Sequence, residues 1–164
     1  MNQSDNIRIR SVSENDAGFL NQLMNHPSVL QALNENPTEK QDWADAIKEW
    51  LCDSDEEDFI IMNGDVPIGW LGINGLLNED KTVYLKMAVL LPDFQGYGFG
   101  TAAIHELVHS LKQREIRKII LYTDRDNSIA QACYKKCGFR IADSLIETMS
   151  NGRIIPRYKM EAYL

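Results

Sequence analysis

The chain has 164 residues, 44% of them hydrophobic and 25% charged, with a net charge of −7 and a pI of about 4.9; this suits one globular domain over residues 1–164 with a sizeable core. The acidic balance argues against a nucleic-acid binder, since phosphate recognition needs a basic surface; an acidic surface would favour cationic partners such as amines, but on charge alone solubility is the plainer reading. No apolar run approaches a membrane span, the start MNQSDNIRIR has no apolar signal core, and three cysteines make an odd count, so a reducing cytoplasmic setting without membrane partners is expected.

Residues 7–11 alternate apolar and polar side chains, as a strand does. Ser13 can cap a helix over residues 13–24, which the stretch NHPSV breaks. Thr38, with Gln41 three residues on, forms a capping-box pattern for a second helix over 38–51. The acidic run DSDEED, residues 53–58, reads as a solvated loop. FIIMNGDVPIGWLGI, residues 59–73, reads as a hairpin, because Asn63-Gly64 supplies the positive φ angles of a tight turn. A strand over 82–91 is stopped by Pro92, a helix occupies 98–113, and the β-branched run RKIILYT gives a strand over 117–123. A helix over 128–137 ends at Gly138, and residues 139–144 and 157–162 are closing strands. The order β-α-α-β-β-β-α-β-α-β-β implies an α/β (α+β) fold, a mixed sheet with helices on both faces. Its middle strand–helix–strand unit is a right-handed crossover between parallel strands.

The turn LLPDFQGYGFGT, residues 90–101, carries the most chemistry. It joins a buried strand to a helix through Gly96, Gly98 and Gly100. It is not the G-x-G-x-x-G dinucleotide fingerprint, whose third glycine would fall at Thr101, and no Gly-Lys-Ser/Thr follows it. Glycines nevertheless let backbone approach a ligand closely, and the first free N–H groups of the helix lie at the positive end of its dipole. That is an anion site without Lys or Arg, suited to a pyrophosphate; a tight, closely packed turn is the plainer alternative.

A second motif, NSIAQACYKKCGF, follows the next strand. P-x-x-Q-G-x-G-x-G over Pro92 to Gly100, together with N-x-x-A-x-x-x-Y-x-x-x-G-F over Asn127 to Phe139, resembles the GNAT superfamily of acetyl-CoA-dependent N-acetyltransferases. The resemblance implies a mostly antiparallel sheet whose central parallel strands splay apart, here 83–91 and 118–123, with acetyl-CoA as cosubstrate between them. It places the pantetheine arm against main-chain groups of Ala88, Val89 and Leu90, and the pyrophosphate on the amides of Gln95, Gly96, Tyr97, Gly98, Phe99, Gly100 and Thr101. Many relatives carry Arg where this chain has Gln95 and Gly96, so backbone amides carry more of the anion here. Tyr134 matches the family's general acid, which protonates the departing thiolate; a phenol of reference pKa ~10 is neutral at pH 7 and can donate. Asn127 matches a helix-capping residue that also lies near the cofactor. The acceptor implied is a primary amine, on a small molecule or a peptide N-terminus, and a homodimer is an open assembly. No general base is assigned: Asp124, Glu57 and Asp58 are the candidates. Phe59, Trp70 and Tyr84 are candidates for the pocket wall or for the core. A non-catalytic acyl-CoA-binding module on the same fold is the main alternative.

His105-Glu106-Leu107-Val108-His109 matches the H-E-x-x-H pattern of zinc proteases. On a helical wheel started at Phe99, however, His105 and His109 fall at about 240° and 280°, opposite the apolar face. Lys112 and Glu115 stand where the extended motif needs Gly and His, and no third ligand is specified. A solvated helix face is the reading, with no metal. Cys133 and Cys137 read as small, half-buried residues.

Overall fold

The computed structural model describes residues 3–164. Twelve elements follow one another: β1 (Ile7–Ser11), α1 (Ala17–Met24), α2 (Pro27–Leu33), α3 (Lys40–Cys52), β2 (Glu56–Asn63), β3 (Val66–Asn74), β4 (Thr82–Leu90), α4 (Phe99–Gln113), β5 (Lys118–Asp124), α5 (Ser128–Lys136), β6 (Arg140–Thr148) and β7 (Ile154–Tyr163). The strands form one sheet in the order β1-β2-β3-β4-β5-β7-β6. Every neighbouring pair is antiparallel except β4–β5.

Alternation along the strands builds two cores. In β2, Ile61 packs with Leu71, Val83, Phe99, Leu107, Ile119 and Leu121 under α4 and α5. Its neighbours Ile60 and Met62 pack with Leu20, Leu23, Ile47 and Trp70 under α1 and α3. Successive strand residues point to opposite faces, so one strand serves both cores. Each fully buried aliphatic side chain contributes about 1.5–3 kcal/mol of hydrophobic stabilisation.

The expected order omits a helix. NHPSV does not break the chain: Pro27 takes the first helical position of α2, where its missing N–H costs nothing, and the His26 side chain accepts from Ser28 N at 3.3 Å. α1 is preceded by a short 3-10 turn over Glu14–Asp16 rather than starting at Ser13. Thr38 is not the cap of α3. Glu39 and Asp42 form that capping box, and Thr38 Oγ1 instead accepts from Trp43 Nε1 at 2.8 Å. The acidic run is not all loop, because residues 56–58 belong to β2, where Asp58 stands opposite Gly72 and is 4% exposed. In the β2–β3 hairpin only Gly64 has positive φ, so the turn is Gly64-Asp65 between paired Asn63 and Val66. No helix among the described residues is long and apolar enough to cross a membrane.

Candidate active site

β4 and β5 pair at three positions only: Thr82 with Lys118, Val83 with Ile119, and Tyr84 with Ile120. Beyond them both strands continue, β4 to Leu90 and β5 to Asp124, without pairing. A cleft of about 310 Å³ occupies the gap, lined by Tyr84 to Ala88 on one side, Leu121 to Asp124 on the other, and Asn127, Ala130 and Tyr134 of α5.

The main-chain direction of β4 follows from its register with β3. Leu91 N donates to Ile68 O at 2.8 Å, so alternation turns Val89 toward β3, opposite Trp70. The main-chain groups of Ala88 and Leu90 then face the cleft. Leu90 O accepts from Gln95 Nε2 at 3.0 Å, which leaves Ala88 N–H and C=O and Leu90 N–H open. Of the three residues expected to present main-chain groups here, Val89 points the other way.

The glycine turn closes one end of the cleft. Gly96 and Gly98 have φ of +85° and +82°. A Cβ at either would meet open space, so conformation, not crowding, selects glycine. Gly98 caps α4, whose first internal bond is Ala102 N to Gly98 O at 3.0 Å. The amides of Gly96 through Thr101 therefore have no backbone acceptor among the described residues. Phe99 contributes backbone alone, since its ring is buried in the core at 5% exposure. Six free amides at a helix N-terminus, beside Tyr97 at 60% exposure, make a cradle that fits a pyrophosphate.

On α5, Asn127 Oδ1 accepts from Ala130 N at 3.1 Å, which caps the helix beside the gap. Tyr134 is half-buried against Phe139, and burial pushes its phenol well above the usual range. It is therefore a neutral donor at physiological pH. Beside it, Cys133 Sγ lies 3.3 Å from Thr101 Oγ1. Its neighbour Cys137 holds the Cys133 thiol below its usual range.

Arg157 forms the hub of the cleft's polar wall. Its Nε lies 3.2 Å from Asp124 Oδ1, Nη1 donates to Glu147 Oε2 at 2.8 Å, and Nη2 donates to Tyr122 O at 3.0 Å. Asn34, 2% exposed with φ of 55°, ends α2 and reaches the same group. Its Nδ2 donates to Asp124 Oδ2 at 3.3 Å, and its Oδ1 accepts from Arg153 Nη1 at 2.9 Å. α2, β5 and the β6–β7 hairpin are thereby tied around the opening.

Of the candidate bases, Asp124 lines the cleft, whereas Glu57 pairs with Arg114, just past the end of α4, and Asp58 is buried under α3. Tyr84 lines the cleft, in edge contact with Tyr122 at 5.8 Å. Trp70 is core, stacked on Trp50 at 5.2 Å, and Phe59 packs against the α4-side core. Both histidines of the H-E-x-x-H stretch are exposed on α4, where His109 contacts Gln113 at 3.1 Å. The segments NHPSVLQALNENP and ETMSNGRIIPRY are where the sequence reading put substrate-shaping residues; it did not single out Glu147 and Arg157, which line the cleft, or Asn34, which joins their network, because their partners lie far along the chain.

A sequence model of the acetyltransferase (GNAT) family matches residues 24–139. The chain is 28% identical over 137 residues to an uncharacterized N-acetyltransferase of Methanocaldococcus jannaschii, a match covering 80% of this chain and 59% of that one. A match to mycothiol acetyltransferase of Corynebacterium glutamicum covers 32% of that protein. Spermidine N(1)-acetyltransferase of Escherichia coli is 23% identical over 156 residues, 93% of this chain and 83% of the relative. Among solved structures, spermidine N-acetyltransferase from Vibrio cholerae in complex with CoA and spermine superposes with a TM-score of 0.87 at 21% identity, covering 97% of this chain and 96% of that one. AAC(6')-Ib with paromomycin and acetyl-CoA gives 0.80 at 22%, covering 97% and 94%. At these identities the superpositions establish a shared fold.

Proposed function

The chain belongs to the acetyltransferase (GNAT) family, and from that premise we propose that it transfers the acetyl group of acetyl-CoA to a primary amine by direct attack. The observation that carries this reading is the gap between β4 and β5, with unpaired main-chain groups on one side, six free amides at its end and Tyr134 beside it. Acetyl-CoA supplies the activated thioester. The amides of Gly96 through Thr101 hold its pyrophosphate, and the Ala88 and Leu90 main chain pairs with the pantetheine arm as a further strand would. A backbone N–H of the same stretch polarises the carbonyl as the amine attacks. Tyr134, kept protonated by burial, gives its proton to the departing thiolate. Asp124, Glu147 and Glu35 give the acceptor end of the cleft a negative wall, suited to a cationic small-molecule amine or a peptide N-terminus. Three free thiols accord with a reducing cytoplasmic setting.

The test is release of CoA thiol from acetyl-CoA across a panel of polyamines, aminoglycosides, amino acids and peptide N-termini. At least one class is expected to turn over. Acetyl-CoA binding without thiol release on any amine would replace this reading with that of an acyl-CoA-binding module.

A further inference from the structure

Behind the glycine turn, α5 brings two thiols onto one residue of the amide cradle. Cys133 Sγ lies 3.3 Å from Thr101 Oγ1, and Cys137 Sγ lies 3.8 Å from Thr101 O. A Cβ placed on Gly100 would meet Cys133 Sγ at 3.8 Å, so the sulfur packs directly against the start of α4. Both cysteines are free and partly exposed, and neither takes part in the proposed acetyl transfer.

The two thiols also interact with each other, which holds Cys133 below its usual range and raises Cys137. Contact with Thr101 and the positive charges of Lys136 and protonated His105 favour the Cys133 thiolate further, against its burial. A thiolate at a helix N-terminus, beside positive side chains, is the reactive form of cysteine.

Residues one turn apart on a helix have Cα atoms about 6 Å apart, within the range that a disulfide spans. Inside a regular helix their Cβ bonds diverge, but Cys137 is the cap of α5 rather than an internal residue. Its φ and ψ are −90° and 7°, and Gly138 follows at φ of +92°. Unwinding this cap turns Cys137 toward Cys133 without breaking α5.

We propose that Cys133 and Cys137 form a redox modification site, closed to a disulfide by a peroxide and reopened by a thiol, which governs how Thr101 is held in the cradle. The Cys133 thiolate attacks one peroxide oxygen, the O–O bond breaks, and a sulfenic acid forms. The Cys137 sulfur, losing its proton, attacks the Cys133 sulfur, and the sulfenic oxygen leaves as water. The two thiols give up two electrons and two protons, and hydrogen peroxide becomes two waters. Closure draws Cys133 Sγ off Thr101 Oγ1 and repacks the last turn of α5, which carries Tyr134. A bridge that needs such movement is strained and readily reduced, so closure is reversible. The site itself stands apart from the acetyl-transfer reading; its effect on acetyl-CoA rests on that reading.

The experiment treats the reduced full chain with hydrogen peroxide at neutral pH, alkylates the remaining thiols and maps them by mass spectrometry. Cys133 and Cys137 are expected to be joined, while Cys52, exposed at the end of α3, stays alkylated as the internal control. Oxidation should weaken acetyl-CoA binding about tenfold by calorimetry. Dithiothreitol should restore it, as it would not if methionine oxidation were the cause. Cys137→Ser should stop at the sulfenic acid, which dimedone captures on Cys133, and Cys133→Ser should leave Cys137 alkylated. Cys133 and Cys137 both alkylated after a treatment that oxidises Cys52 would overturn the proposal. So would dimedone on Cys137 in Cys133→Ser, or a bridge that leaves acetyl-CoA affinity unchanged. A reduced chain without affinity for acetyl-CoA would count against the acetyl-transfer reading alone, and the thiol map would still decide whether the site exists.

Discussion

Arg157 Nη1 bonds Glu147 Oε2 diagonally across the β6–β7 ladder, at 2.8 Å, although the register partner of Arg157 is Leu145. The same guanidinium meets Asp124 and the Tyr122 carbonyl, so one side chain, 16% exposed, joins β5, β6 and β7 at the cleft. Arg157→Met leaves two carboxylates without their cation and should cost about 2–4 kcal/mol in urea unfolding. Arg157→Lys should recover only part of that, since a point charge replaces a planar fork of donors. Equal stability of wild type and Arg157→Met would show that solvent already screens the group.

Tyr134→Phe removes only the phenolic oxygen, and the ring contact with Phe139 survives. Turnover on the best amine of the panel is expected to fall by about 10² or more, with the acetyl-CoA dissociation constant nearly unchanged. A variant that turns over like wild type would remove Tyr134 from the chemistry.

The parts of this molecule that were legible in the sequence are those whose cause is local. The α4 and α5 caps, the hairpin and the glycine turn each depend on residues within a few positions of one another. So does the exposed histidine pair, which helical periodicity alone separates from the apolar face. What escaped depends on partners far along the chain. Asn34 matters because Asp124 and Arg153 come to it from 90 and 119 residues away. Asp58 looks like surface acid among four acidic neighbours until β3 supplies Trp70 and an opposing glycine. α2 was lost because proline was read as a breaker, when at a helix start it is preorganised.

Gly98→Ala separates conformation from contact at the glycine turn. The added methyl meets nothing within 4 Å, so the penalty comes from φ of +82°. A loss of about 1 kcal/mol in stability is expected, with several-fold weaker acetyl-CoA binding as the amides turn to relieve the strain. At Gly100, with no positive φ, a Cβ would make ordinary contacts of 3.7 Å to Leu90 Cδ1 and 3.8 Å to Cys133 Sγ. Gly100→Ala should therefore keep stability within ~0.5 kcal/mol. Calorimetry of both variants with and without acetyl-CoA decides the matter.

Lys86 Nζ lies 3.3 Å from Asp58 Oδ1, and burial disfavours the charged form of each, so the pair sets a stability profile with two windows. Between pH 3.8 and about 7 the folded chain keeps a proton on Asp58 that the unfolded chain has released, so stability falls as pH rises. Between about 8 and 10.5 the folded chain lacks a proton on Lys86 that the unfolded chain holds, so stability rises with pH. Each effect amounts to a few kcal/mol. Urea midpoints of wild type and Asp58→Asn across pH 4–10 provide the check. The variant should lose the fall in the lower window; a fall of unchanged slope would place the proton elsewhere.

A seven-stranded open sheet ordinarily ends in two edges, but this one has four, because β4 and β5 part after three paired positions. Two of them lie in the middle of the fold, where amides are usually the last to exchange with solvent. The amides of Ala88 and Leu90 should instead exchange deuterium as loop amides do, while those of Val89 and Met87, turned to β3, stay protected. Acetyl-CoA should slow the first pair and leave the second unchanged. On the proposed reading the interior of this sheet is complete only when a ligand lends it backbone-like hydrogen bonds, and binding energy then becomes folding stability in that proportion.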